Sequence, residues 1–344
     1  MSDNARWVRP LGSARAGGWD VAIDASLDGW QHTALYAAEL AAGESRTVSA
    51  GEWEYVVVPL SGSVAVTAVD PEGLKHEAVL AGRPSVFAGP TDVAYVTRDC
   101  EVTVTAEGGP AKVAVCGARV SRRHTPPFRH VGVADVPVEL RGAGVASREV
   151  RNFGTPGVLE ADSIIACEVL TPGGNWSSYP PHKHDEERPG VETELEEIYY
   201  FEVRSTERSE LDRTSGDQSA EGGPGRSVST ERSELDRTSG GQSAEGGPGS
   251  SPREGFGYQR VYGTDDRPID VLAEVRSGDV VLVPHGWHGP SMAAPGYDLY
   301  YLNVMAGPGA ERAWLICDDP AHGWVRDTWT TQQLDPRLPF GGAQ

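Results

Sequence analysis

The chain has 344 residues and a formal net charge of −20 at pH 7, with 50 acidic against 30 basic side chains. A surface so acidic repels phosphate backbones and anionic lipid heads, which sets aside nucleic acids and membranes as partners and leaves small molecules. The 42 glycines and 25 prolines punctuate the chain too often for long helices and suit many short strands joined by turns.

Read from the N-terminus, residues 1–18 carry Arg6, Arg9 and Arg15 with no apolar stretch behind them, which is not a secretory signal. No run anywhere approaches the ~20 apolar residues of a membrane span. Strand-like runs rich in Val and Thr then recur at 55–60, 63–69, 93–97, 101–105 and 112–116, with Gly, Pro or Asp between them. In the second of these, Val64 and Val66 alternate with smaller residues and share one face. Residues 1–120 are therefore expected to form an antiparallel sandwich or barrel. Residues 121–151 read as a connector, since Arg122-Arg123-His124-Thr125-Pro126-Pro127 can hardly continue a strand. The strand rhythm resumes at 163–170, 197–203, 257–262, 279–283 and 297–305. The expected fold is all-β, with a second barrel over 152–344 in tandem with the first.

One segment breaks the rhythm. Residues 205–225 recur at 229–249 with a single difference, Asp217 against Gly241, at a period of 24 residues. Each copy has one Leu as its only sizeable apolar residue, so stacking cannot offset the entropy of ordering it, and a disordered duplicated surface insertion is expected at about 205–253. The four cysteines, Cys100, Cys116, Cys167 and Cys317, form no C-x-x-C pair, so neither a disulfide framework nor a zinc finger is expected. A reducing compartment, and hence a cytoplasmic protein, is the natural expectation.

The chemistry concentrates in Pro181-His182-Lys183-His184-Asp185. Along a strand, alternate side chains share a face, so His182 and His184 project together ~7 Å apart while Lys183 points away from any ion they bind. A carboxylate from a neighbouring strand would complete a donor set suited to one divalent metal, with Zn or Mn ahead of Fe, Co and Ni. Glu192, Glu194, Glu196 and Glu197 compete for that place; alternation favours Glu197, on the face with Tyr199 and Phe201, with Glu194 in reserve. A later strand runs into Val283-Pro284-His285-Gly286-Trp287-His288, and this turn presents His288 as a fourth ligand, with His285 as its rival. His322 is isolated, and the tyrosines 199, 200, 300 and 301 read chiefly as packing.

These residues resemble the two signature motifs of the cupin superfamily, the first supplying two His and a Glu, the second a His after a Pro-x-Gly turn with an Asn further on, here Asn303. The gap from His184 to Glu197 is longer than the superfamily's usual one, and the Pro-x-Gly-x-His spacing is one residue shorter. The runs PPHKHD, ETELEEIYYF, GFGYQRVYGTDDR, GDVVLVPHGWH and PGYDLYYLNVMAG resemble, more closely, the 5-deoxy-glucuronate isomerase family of myo-inositol catabolism. The resemblance spans most of the chain outside 205–253. It implies a bicupin of two jelly-roll barrels, the first without metal ligands and the second bearing them. The first half agrees, having only the dispersed His32, His76, His124 and His130. It further implies an aldose–ketose isomerase that converts 5-deoxy-D-glucuronate to 5-dehydro-2-deoxy-D-gluconate, similar to a ketol-isomerase of pectin breakdown.

Such a reaction moves a hydrogen from C2 to C1, and a metal can stabilise the ene-diolate between them. Glu194 is the expected proton shuttle, unless the hydrogen moves as a metal-guided hydride. Arg260 is the expected partner of the substrate carboxylate, with Tyr262 on the same face of its strand. A small uronate is the expected ligand and a homo-oligomer the expected assembly. The competing readings are a redox-metal dioxygenase of similar fold and a sugar-binding bicupin without activity.

Overall fold

The computed structural model describes residues 2–49, 51–120, 126–206 and 255–341. Strands dominate it, in three antiparallel sheets that build two tandem barrels. The first barrel is one eight-stranded sheet curled on itself; the second closes a seven-stranded sheet over a six-stranded one. The duplicated segment expected to be disordered lies, from 207 to 254, outside the described residues, as does His124.

In the first barrel, runs that read as separate strands are continuous. Residues 55–60 and 63–69 belong to one strand, Trp53–Val69, and 101–105 and 112–116 to its long neighbour Glu101–Arg119. The break at Ser61-Gly62 is a shift of register rather than a turn. Gly62 has φ +74° there, and a Cβ on it would lie 2.5 Å from the Pro110 carbonyl oxygen, so the bend needs a residue without one. Bulges of this kind let one strand turn the corner of a barrel. Val64, Val66 and Ala68 point inward, as their alternation indicated.

The expected connector 121–151, described from residue 126, contributes strands to both barrels. Arg129–Val131 pairs with Val93–Val96 of the first barrel, whereas Val138–Arg141 and Arg148–Gly154 are edge strands of the second. The first residues also depart from the expected partition: Val8–Arg9 pairs with Val280–Val283 of the second barrel, and Asp3 donates its N–H to the Asp270 carbonyl at 2.7 Å. Short polar or mixed strands are poorly marked in sequence because partners, not propensity, stabilise them.

A single buried cluster runs from Leu35, Val56, Phe87 and Tyr95 of the first barrel to Tyr200, Phe201, Tyr300 and Leu302 of the second. Two carboxylates bind the barrels reciprocally. Glu54 accepts N–H bonds from Asp162, Ser163 and Ile164 at 2.9, 2.5 and 2.6 Å; Glu196 accepts from Gln31, His32 and Thr33 at 3.2, 2.5 and 2.6 Å. Between them, Arg83 pairs with Glu168, which also accepts the Tyr300 hydroxyl at 2.7 Å.

Candidate metal centre

The strand Glu196–Ser205 lies between Val280–Val283 and Tyr297–Ala306, and its alternation fixes which acids face where. Glu196 turns toward the first barrel and is buried there rather than exposed. Glu197 turns into the second barrel and is 2% exposed. Across the barrel, the two-residue strand His182–Lys183 pairs with Trp287–Ala293, placing His182 opposite His288.

Three imidazoles converge. The nitrogens of His182, His184 and His288 available as ligands all lie within 4.8 Å of one another. Glu197 Oε2 is 3.1 Å from both His184 Nε2 and His288 Nε2. The backbone orients each ring: Nδ1 of His182, His184 and His288 faces the carbonyl oxygens of Pro180, Leu195 and Gly286 at 3.4, 3.1 and 3.2 Å. A proton on Nδ1 leaves Nε2 as a lone-pair donor, the state in which imidazole binds a metal. His288 Nε2 is buried with no hydrogen-bond partner, since its approach to Glu197 lacks hydrogen-bond geometry. A buried, unpaired nitrogen among two other imidazoles and a carboxylate fits a divalent ion of the Zn, Mn, Fe, Co or Ni kind.

The electrostatics suit that occupant. Burial and the neighbouring His288 and His184 hold the His182 pKa well below its ordinary value, so this ring is neutral. Burial opposes the charge on Glu197, but the hydrogen bond to His184 and the nearby imidazole of His288 outweigh it and hold the carboxyl at about 2. The competing acids are engaged elsewhere: Glu192 binds Lys183 Nζ at 2.8 Å and also pairs with Arg188. Lys183 thus faces away from the histidines, as its place between them required. His285 and His322 do not join the group.

The histidine group opens into a cavity of about 450 Å³, with His182, Glu197, Ser178, Tyr199, Tyr301 and Asn303 on its wall. Asn303 is 3% exposed, and its Nδ2 has no partner. The opposite rim comes from segments in which sequence reading saw no site: Glu139, Arg141 and Arg148 from the supposed connector, and Trp314, Arg326 and Trp329 from the C-terminal stretch. No motif marks these residues; strand pairing brings Glu139, Arg141 and Arg148 to the cavity, and Trp314, Arg326 and Trp329 reach it from the coil and short helical turns of the C-terminal stretch.

Three expected site residues are not brought there. Glu194 is exposed and absent from the cavity wall; its backbone N–H faces Glu187 Oε2 at 3.4 Å. Arg260 and Tyr262 sit on the outer face of Gly257–Tyr262, whose buried residues are Gly257, Gln259 and Val261. The Arg260 guanidinium pairs with Asp270, and the Tyr262 hydroxyl donates to Asp319. Arg260's strand does neighbour the histidine strand, but alternation turns its side chain the other way.

Comparison with known proteins points in one direction. The profile of the KduI/IolB family matches residues 7–238 and 249–325. A protein of Geobacillus kaustophilus named 5-deoxy-glucuronate isomerase is 34% identical, over 94% of this chain and 96% of its own. The protein of the same name from Bacillus subtilis strain 168 is 34% identical over 83% of this chain and 85% of its own. An IolB-like protein of Salmonella typhimurium LT2 of known crystal structure superposes with a TM-score of 0.70 at 31% identity, covering 93% of this chain and 98% of the other. Oxalate decarboxylase of Lactobacillus farciminis superposes with a TM-score of 0.54 at 11% identity, covering 91% of this chain and 88% of the other, a likeness of fold alone.

Proposed function

The chain belongs to the KduI/IolB family, and from that premise we propose that it is the aldose–ketose isomerase converting 5-deoxy-D-glucuronate to 5-dehydro-2-deoxy-D-gluconate, with a divalent metal held by His182, His184, Glu197 and His288. The observation that carries the metal reading is the buried Nε2 of His288, without a hydrogen-bond partner beside two imidazoles and a carboxylate, in a group whose His182 and Glu197 line the cavity.

A divalent ion in that group supplies Lewis-acid stabilisation of the charge that develops on the C1 and C2 oxygens. The chain supplies the rest. Asn303 Nδ2 offers a hydrogen bond to a sugar oxygen, and the Tyr199 hydroxyl, 3.1 Å from Ser178 Oγ, offers another donor on the same wall. The aromatic walls of Tyr199, Tyr301, Trp314 and Trp329 limit water around the reacting carbons. The proton shuttle expected at Glu194 passes in this reading to Glu139, which lines the cavity beside Arg141.

A coupled assay with 5-deoxy-D-glucuronate, run with and without chelator, tests the reading. Turnover is expected, to be abolished by chelator and restored by Zn or Mn. Absence of turnover in metal-replete protein would overturn it. The nearest other substrate is the deoxy-uronate of pectin breakdown, and a comparison of kcat/KM on the two compounds decides between them.

A further inference from the structure

We propose that Arg148 is the specificity residue of this site, a buried guanidinium that binds the substrate carboxylate and selects uronates over neutral sugars; this rests on the isomerase reading above.

Three arginines are buried among the described residues: Arg83, Arg148 and Arg151. A buried cation is costly unless a carboxylate compensates it, and two of the three are compensated in this way. Arg83 pairs with Glu168, and Arg151 Nε pairs with Glu149 Oε1 at 2.7 Å. Arg148, 8% exposed, has no carboxylate partner among the described residues. Its Nη1 donates to the Ala146 carbonyl at 3.1 Å, and its guanidinium lies 5.4 Å from the Trp329 ring centroid. Burial pushes its pKa down to about 10, so it remains a cation at neutral pH.

Its surroundings add to the positive charge. Arg141 is its direct cross-strand neighbour, and like charges facing each other across a strand pair are unfavourable without an anion between or beside them. Arg141 has Glu139 at 2.8 Å and Arg326 has Asp318, which leaves Arg148 as the guanidinium on the cavity wall with donors to spare. The fold also makes room for it: a Cβ on Gly142 would lie 2.6 Å from Arg148 Nη1. Arg148 lines the same cavity as His182 and Glu197, and a planar guanidinium with Nη2 and Nε left over matches a carboxylate better than a hydroxymethyl group.

The test uses Arg148→Met, which keeps the volume, and Arg148→Lys, which keeps the charge without the fork. Kinetics are measured on 5-deoxy-D-glucuronate and on 5-deoxy-D-glucose, in which the carboxylate is a hydroxymethyl group. Binding is read separately by quenching of tryptophan fluorescence, since Trp314 and Trp329 line the cavity, with D-glucuronate and D-glucose as probes. Arg148→Met is expected to raise KM for the uronate by about 30-fold or more, leave the neutral sugar unaffected and retain the wild-type metal content. Arg148→Lys is expected to fall between. Unchanged KM for the uronate in either variant, with metal content intact, would overturn the assignment. Should wild-type protein turn over neither sugar, the isomerase reading fails, yet the titration still decides Arg148: loss of D-glucuronate binding supports it, and equal binding in wild type and both variants refutes it.

Discussion

The three Nδ1–carbonyl contacts are what turn three histidines into one group. Each ring is held by its own stretch of backbone, so the three imidazoles converge, and Nε2 of His184 and His288 meet Glu197. His182 and His184 were legible in the sequence because alternate strand residues share a face, and His288 because a Pro-Gly turn follows a strongly apolar strand. Glu197 followed from alternation among four nearby acids. The same rule puts Arg260 and Tyr262 on the outer face of their strand, whose inward face carries Gln259 and Val261. Arg260→Ala is therefore expected to leave KM for the uronate within about twofold, as surface changes usually do. Glu194→Gln should leave kcat equally unaffected. Glu139→Gln, at the cavity, should lower kcat by about 100-fold or more, the lower range for a general acid–base group, and wild-type product formed in D2O should carry deuterium on the carbon that was the substrate's C1, the product's C6. Unchanged kcat together with full retention of the substrate hydrogen would remove Glu139 and favour hydride transfer.

The clearest regularity among the elements is the exchange of carboxylates between barrels. Glu54 sits near the start of Trp53–Val69 and Glu196 at the start of Glu196–Ser205, strands that occupy matching places beside Glu101–Arg119 and Tyr297–Ala306. Each receives three consecutive N–H groups where the other barrel enters Thr33–Leu40 or Ile165–Thr171. The next residue is Glu197 in the second barrel and Tyr55 in the first, so the first barrel has an aromatic ring where the second has the carboxylate that meets the histidines. This correspondence was invisible in the sequence, where Glu54 and Glu196 look like ordinary acids at strand ends. Truncating either leaves buried N–H groups without an acceptor, at a cost of about 3 kcal/mol or more. Glu54→Ala is thus expected to lower the thermal midpoint by about 5–10 °C, measured by calorimetry, with the histidine group intact. A midpoint within a degree of wild type would mean that water replaces the carboxylate without loss.

At the scale of the molecule, the barrels share one apolar cluster, and the chain's first strand belongs to the second barrel. The tandem arrangement was legible because two series of strand-like runs of similar texture flank a Pro-rich break. The partition at 120 and 151 was not, because short strands such as Val138–Arg141 and Val8–Arg9 have no apolar periodicity of their own and exist through their partners. Trp7 is buried in the shared cluster, and Val8–Arg9 covers the strand that pairs with Glu197. Deleting residues 1–9 is expected to lower the single unfolding transition by about 5–10 °C, from the loss of one buried Trp alone. Two separate transitions in the intact chain would contradict a shared core. The most direct measurement of all is metal content and isomerisation rate determined on one preparation of wild type and of His184→Ala, a proposed ligand 1% exposed with both ring nitrogens engaged. Wild type should carry a divalent metal and turn over 5-deoxy-D-glucuronate, and His184→Ala should lose both together; a metal-free variant that keeps the wild-type rate would contradict the proposed metal centre.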